Sequence, residues 1–295
     1  MTETQRTNRY ALFFFLYFMG TSVAVALLPF FGTMSNSGRM LAAQLICFLP
    51  ALAFYFYYTK KDIRKTLRLH PLGWKNALLI LFFGVSIQPL ISLLSYLTSL
   101  FFPNPVEQSI ESIQQSGFFI SLLSVAVLPA ILEEMFSRGI LLTGYRFLGK
   151  WKAALVSALL FGLLHMNPQQ FLYAFLIGFI FCFLVDRTDS LYASILPHMV
   201  INGTTLVSIF TEGAGTGPVE LESSVILASL LLMAILSIPW LALLLYLFLR
   251  LNPTKVEPEL VDEAGNPYRE RFLTPSMVGI FILYILCGII PYLSS

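Results

Sequence analysis

Apolar residues run along this chain in long blocks separated by short polar stretches, near 10–31, 40–58, 77–102, 118–145, 153–166, 171–185, 190–211, 224–250 and 273–293. A bilayer core about 30 Å thick takes roughly 20 apolar residues per helix. Most of the blocks approach that length, the shortest being 153–166. The pattern predicts an all-α polytopic bundle of about nine transmembrane helices, forming one integral membrane domain over 1–295 with no soluble domain.

The placement of Lys and Arg supports this count, because positive residues accumulate in cytoplasmic loops. With the N-terminus cytoplasmic, alternate loops hold Arg6 and Arg9, six basic residues between Lys60 and Lys75, Arg146, Lys150 and Lys152, Arg187, and the four from Arg250 to Arg271. That is sixteen of the 18. The loops on the other side, near 32–39, 103–117, 167–170 and 212–223, hold only Arg39, and Arg138 lies inside a span. Residue 110 is thus expected outside and residue 260 inside.

Four local features are weaker. Arg6 and Arg9 followed by an apolar run and Ala24-Val25-Ala26 resemble a secretory signal, but the run continues through Phe31, which favours an uncleaved anchor helix. Asn202-Gly203-Thr204 fits a glycosylation pattern but falls mid-helix, as a chance match would. Segment 59–76, with its basic run beside Leu67, Leu69 and Trp74, has the composition of an amphipathic stretch on the anionic cytoplasmic surface, and equally of a plain basic loop. Segment 251–272, with Pro253, Glu257, Pro258, Glu259 and Gly265-Asn266-Pro267, reads as a polar cytoplasmic linker.

Composition narrows the function classes. With 57% hydrophobic residues, 12% charged residues and a mean hydropathy of +0.78, the chain is neither a soluble enzyme nor a disordered one. A formal charge of +2 offers no basic surface, so nucleic acid is excluded as a partner and the lipid bilayer is implied. Cys47, Cys182 and Cys287 lie in apolar runs without metal-ligand spacing, which assigns them to packing.

Ionisable groups inside hydrocarbon are costly and mark functional sites. Here they are few: Glu133, Glu134 and Arg138 in the fourth span, His165 in the fifth, and His198 with Asn202 in the seventh. At about 100° per residue, Glu134 and Arg138 share one helix face and can neutralise each other, whereas Glu133 points about 100° away. Glu133 is left to stay protonated or to meet a donor from another span, and a histidine would serve. Phe161 and His165 share a face, as do His198 and Asn202, and Pro129, Pro168 and Pro197 lie close by, where kinks open the backbone. Counting residues from the basic loops puts Glu133, His165 and Asn202 in one layer, on the order of 20 Å from the inner boundary.

These residues carry a resemblance. Glu133-Glu134-Met135-Phe136-Ser137-Arg138, Phe161-Gly162-Leu163-Leu164-His165 and His198-Met199-Val200-Ile201-Asn202 resemble the three motifs of the CPBP family, the CAAX prenyl endopeptidases and their bacterial relatives that process bacteriocins or confer immunity to them. The likeness covers roughly 118–205, and Ser137 departs from it where relatives often carry Phe. The resemblance implies a glutamate-dependent intramembrane endopeptidase of the cell membrane, acting on a membrane-associated peptide or protein. Glu133 with His165 would activate a water, His198 with Asn202 would stabilise the oxyanion, and Glu134, Arg138 and Phe161 would support them, with no cofactor. A zinc site formed by Glu133, His165 and His198 is the competing chemistry, although no His-Glu-x-x-His motif is present. A non-proteolytic scaffold, transporter or immunity protein is the competing class.

Overall fold

The computed structural model describes residues 1–104, 109–212, 222–253 and 270–293. The described residues form helices and no strands. Seven helices are long and apolar enough to cross a membrane: α1 (Glu3–Leu27), α2 (Asn36–Thr59), α3 (Trp74–Ser99), α4 (Phe118–Gly144), α6 (Pro168–Thr188), α7 (Tyr192–Glu212) and α8 (Ser223–Leu251). Two shorter ones complete the alternation expected from the sequence: α5 (Lys150–Leu164), and α9, which runs over Pro275–Ile289 and ends with Ile290–Leu293. Most of the linker read at 251–272, including Glu257, Pro258, Glu259 and Gly265-Asn266-Pro267, lies outside the described residues, as does most of the loop near 212–223.

Local chemistry starts and stops these helices. Thr2 and Gln5 close a reciprocal cap on α1, Ser35 caps α2 through Gly38 N, and Asn167 caps α6 through Gln169 N. Pro168 then stands in the first turn of α6, where its missing N–H costs nothing. Inside α2, Pro50 cannot donate to the carbonyl of Ile46, and the Tyr17 hydroxyl of α1 donates there at 3.0 Å.

Cross-links between loops establish that alternate helix ends share a side. At one end, Lys61 pairs with Glu3, Lys150 with Asp186, and Arg68 and His70 with Asp189. The Arg187 guanidinium donates to Asn252 O at that end, and Thr4 N donates to the Glu270 carboxylate. At the other end, Ser37 bonds Ser116 and Ser121, Gln114 donates to Ile209 O, Thr98 to Gln169 O, and Tyr96 to Ser223 O. The basic residues in these contacts therefore collect at one end of the bundle, apart from Arg39 and the buried Arg138.

At that basic end the 63–73 segment packs against α4. Leu67 is 1% exposed, and it packs against Gly139 of α4, where a side chain would collide with it. Leu191 N donates to Arg68 O and Ser190 Oγ to His70 O, strapping the 63–73 segment across the turn between α6 and α7. Of the residues read as an amphipathic surface stretch, Leu67 is thus part of the core, Leu69 packs partly buried against it, and Trp74 is exposed. An aromatic cluster supports α4 from the other side, with Phe14 of α1 stacked on Phe136 at 3.8 Å between ring centres and Phe48 edge-on to Phe14.

Candidate active site

Helix α4 departs from regular α geometry. Wide π-type turns over Leu122–Val127 and Met135–Leu141 flank an α-helical stretch at Leu128–Glu134. Such turns gather at functional sites, and here they bracket the two glutamates. Pro129 opens the first of them further, because it has no N–H for the carbonyl of Val125. That carbonyl accepts instead from Asn202 Nδ2 of α7 at 3.0 Å. A polar side chain from another helix thus satisfies a backbone group that the kink has freed, as bilayer interiors require.

The second polar contact joins the same two helices. Glu134 Oε1 accepts from Arg138 Nη1 at 2.9 Å and from His198 Nδ1 at 2.8 Å, with Glu134 and Arg138 fully buried. The Glu134–Arg138 pair expected from spacing is present, and a histidine joins it. The histidine that reaches the glutamate pair does so at Glu134. Glu133 has no hydrogen bond to a described residue and faces a cavity of about 610 Å³.

Aromatic rings cover the guanidinium. Arg138 Cζ lies 4.1 Å from the Phe161 ring centre and 5.4 Å from that of Phe181, while Nε and Nη2 have no hydrogen-bond partner among the described residues. Phe161 also stands edge-on to both histidines, 5.1 Å from His165 and 5.9 Å from His198. Spacing alone places Phe161 beside His165; its contacts with Arg138 and His198 depend on how the helices pack.

Hydrogen-bond partners assign the tautomers. Glu134 as a carboxylate and the Phe161 carbonyl can only accept, so His198 Nδ1 and His165 Nδ1, the latter 3.0 Å from Phe161 O, both carry protons. In the neutral form of either ring the lone pair is then at Nε2. The cavity is lined by Glu133, Phe161, His165, His198 and Asn202 together, so the four residues named as catalytic share one space. Among the described residues, no three His, Cys, Asp or Glu side chains gather closely enough to hold a metal ion, and the zinc set Glu133, His165 and His198 is no exception.

Gly178 of α6 is a residue that spacing does not reveal. A Cβ there would lie 2.9 Å from Arg138 Nη2, 3.1 Å from Phe161 Cδ1 and 3.3 Å from Ala158 Cα. Gly178→Ala is expected to destabilise the protein by about 1–3 kcal/mol, the usual cost of overpacking, measured as a lower unfolding temperature in detergent. An unchanged unfolding temperature would show that Arg138 and Phe161 move aside freely.

These features define a polytopic membrane protein whose bundle encloses a carboxylate, imidazole and amide cluster. Residues 115–204, which contain all three motifs, match the model of the family described as type II CAAX prenyl endopeptidase Rce1-like. The match bears out the resemblance to the CPBP and CAAX-protease family, and at the family level it supports protease activity. No curated protein and no solved structure matches the chain.

Proposed function

We propose that the protein is an intramembrane endopeptidase that hydrolyses a peptide bond of a membrane-associated substrate with a water activated by Glu133 and His165. The observation that carries this reading is the opening of Glu133, His165, His198 and Asn202 onto one cavity. Glu133, held by no described neighbour, takes one proton from the water, while the water's other O–H donates a hydrogen bond to the lone pair at His165 Nε2 and is oriented by it. The oxygen adds to the carbonyl carbon, the C–N bond breaks, and the proton passes to the departing amine.

Negative charge on the carbonyl oxygen needs donors fixed beforehand. Asn202 has two N–H groups on Nδ2; one serves Val125 O and the other remains for the oxyanion. With a second proton taken from solvent before the substrate binds, His198 donates to the oxyanion from Nε2 while Nδ1 still donates to Glu134. Glu134 and Arg138 position that ring, and Phe161 packs against it. The protein resides in the cell membrane with its basic end, and so its N-terminus, in the cytoplasm.

Purified protein incubated with a panel of membrane-tethered peptides tests this reading. Cleavage is expected, and it should survive exhaustive treatment with a strong chelator. His198→Ala should slow turnover on the order of 10²–10³-fold, the loss typical of an oxyanion donor. Activity that vanishes on chelation and returns with zinc would replace this mechanism with a metal-dependent one; no cleavage by the wild type would sink the proteolytic reading.

A further inference from the structure

The cavity's lining runs from the site toward one end of the bundle. Its deep part holds Glu133, His165 and His198; its far part is lined by Ser99, Asn104 and Ser109, where α3 ends and the approach to α4 begins. Tyr96, which bonds Ser223 O, and Ile209, whose carbonyl accepts from Gln114, line the same part. All belong to the end of the bundle opposite the basic loops. Below the site the described residues are closely packed. Residues 136–142 of α4 are buried without a break, Tyr145 is buried just beyond, and Leu67 seals Gly139 beneath the 63–73 strap.

The lining also limits what can enter. Among the described residues, no Lys or Arg lines the cavity, and Glu133 is its only acidic residue. The one guanidinium nearby, Arg138, is fully buried behind Phe161 and Phe181. A free C-terminal carboxylate would meet no Lys or Arg to neutralise it and would be repelled by Glu133. Uncharged groups such as Gln88, Ser92, Ser95 and Thr205 line the wall and suit a peptide backbone in mid-chain.

We infer that the substrate is a membrane-tethered protein whose scissile bond lies in the interior of a neutral or cationic segment on the noncytoplasmic side, and that this segment enters through the mouth at Ser99 and Asn104. The substrate half of this inference rests on the proteolytic function proposed above, and the position of the mouth does not.

Two measurements separate the halves. In a Cys287→Ser background, which removes the exposed thiol, Ser99→Cys and Asn104→Cys should react in intact cells with a membrane-impermeant maleimide, whereas Trp74→Cys should react only after permeabilisation. Variants would first be checked for wild-type unfolding temperatures. Labelling of Ser99→Cys and Asn104→Cys only after permeabilisation would overturn the placement of the mouth. The second measurement uses anchored reporters that carry one randomised linker on either face of the membrane, each ending in a long tag or at the linker's free carboxylate. Only noncytoplasmic reporters should be cut, with the long tag in place. Cutting of cytoplasmic reporters alone, or only of those ending near a carboxylate, would overturn the substrate class. External labelling without cleavage of any reporter would keep the mouth and remove the proteolytic reading.

Discussion

Glu134→Gln should lower the stability of the protein by about 3–5 kcal/mol, the usual cost of removing one partner from a buried ion pair. The magnitude follows from where Arg138 sits. Its guanidinium is fully buried, its only hydrogen bond among the described residues goes to Glu134, and the two rings covering it supply a cation–π attraction worth about 2 kcal/mol or more when desolvated, short of a full counter-charge. An amide in place of the carboxylate keeps a hydrogen-bond acceptor and loses the compensating charge. His198 loses its anionic partner as well, so activity should fall together with folding. Replacing Glu134 and Arg138 both by Met should recover much of the lost stability, because buried pairs exchanged for apolar residues of similar volume are often neutral. It should not recover activity, since His198 Nδ1 is still without its acceptor. Thermal unfolding of the purified variants reads both results, and a Glu134→Gln protein as stable as wild type would mean that Arg138 is neutralised from elsewhere.

The two glutamates are adjacent in sequence and opposite in environment, which bears on how much could be read without coordinates. Hydrophobic length and basic loops are local properties, so the helices and their alternation are legible, down to the short α5 whose run of small and apolar side chains is buried on most faces. Pairs within one helix are legible too, because the backbone fixes their spacing: Glu134 with Arg138, and Phe161 with His165. Contacts between helices are not. Nothing in the spacing says that His198 turns toward Glu134, because the rotation of α7 against α4 is set by packing and by the wide turns in α4, which break the regular phase of 100° per residue. Leu67 sealing Gly139 and Gly178 making room for Arg138 are hidden for the same reason. One interhelical contact did leave a trace: Pro129, four residues after Val125, marks a carbonyl in need of a donor, and Asn202 is the amide that supplies it.

Glu133→Gln should separate chemistry from folding where Glu134→Gln cannot. Glu133 bonds no described residue and faces the open cavity, so an amide of nearly the same shape leaves the packing intact, and stability should stay within about 0.5 kcal/mol of wild type. Turnover should fall at least about 10²–10⁴-fold, the range that a positioned general base contributes, because Gln cannot take a proton from water. Glu133→Asp sharpens the assignment. It retains the carboxylate and withdraws it by one methylene, and a displacement of about 1 Å at a reacting group costs on the order of 10²-fold. A group that merely tunes the cavity's charge would tolerate this shortening and keep nearly full activity, whereas a base that must touch the water would not. Single-turnover cleavage of one tethered peptide by the three proteins, each checked for the wild-type unfolding temperature, decides between them. Equal rates for wild type and Glu133→Gln would remove Glu133 from the mechanism and pass the base to an imidazole, with His165, whose Nδ1 is held by Phe161 O, as the first group to test.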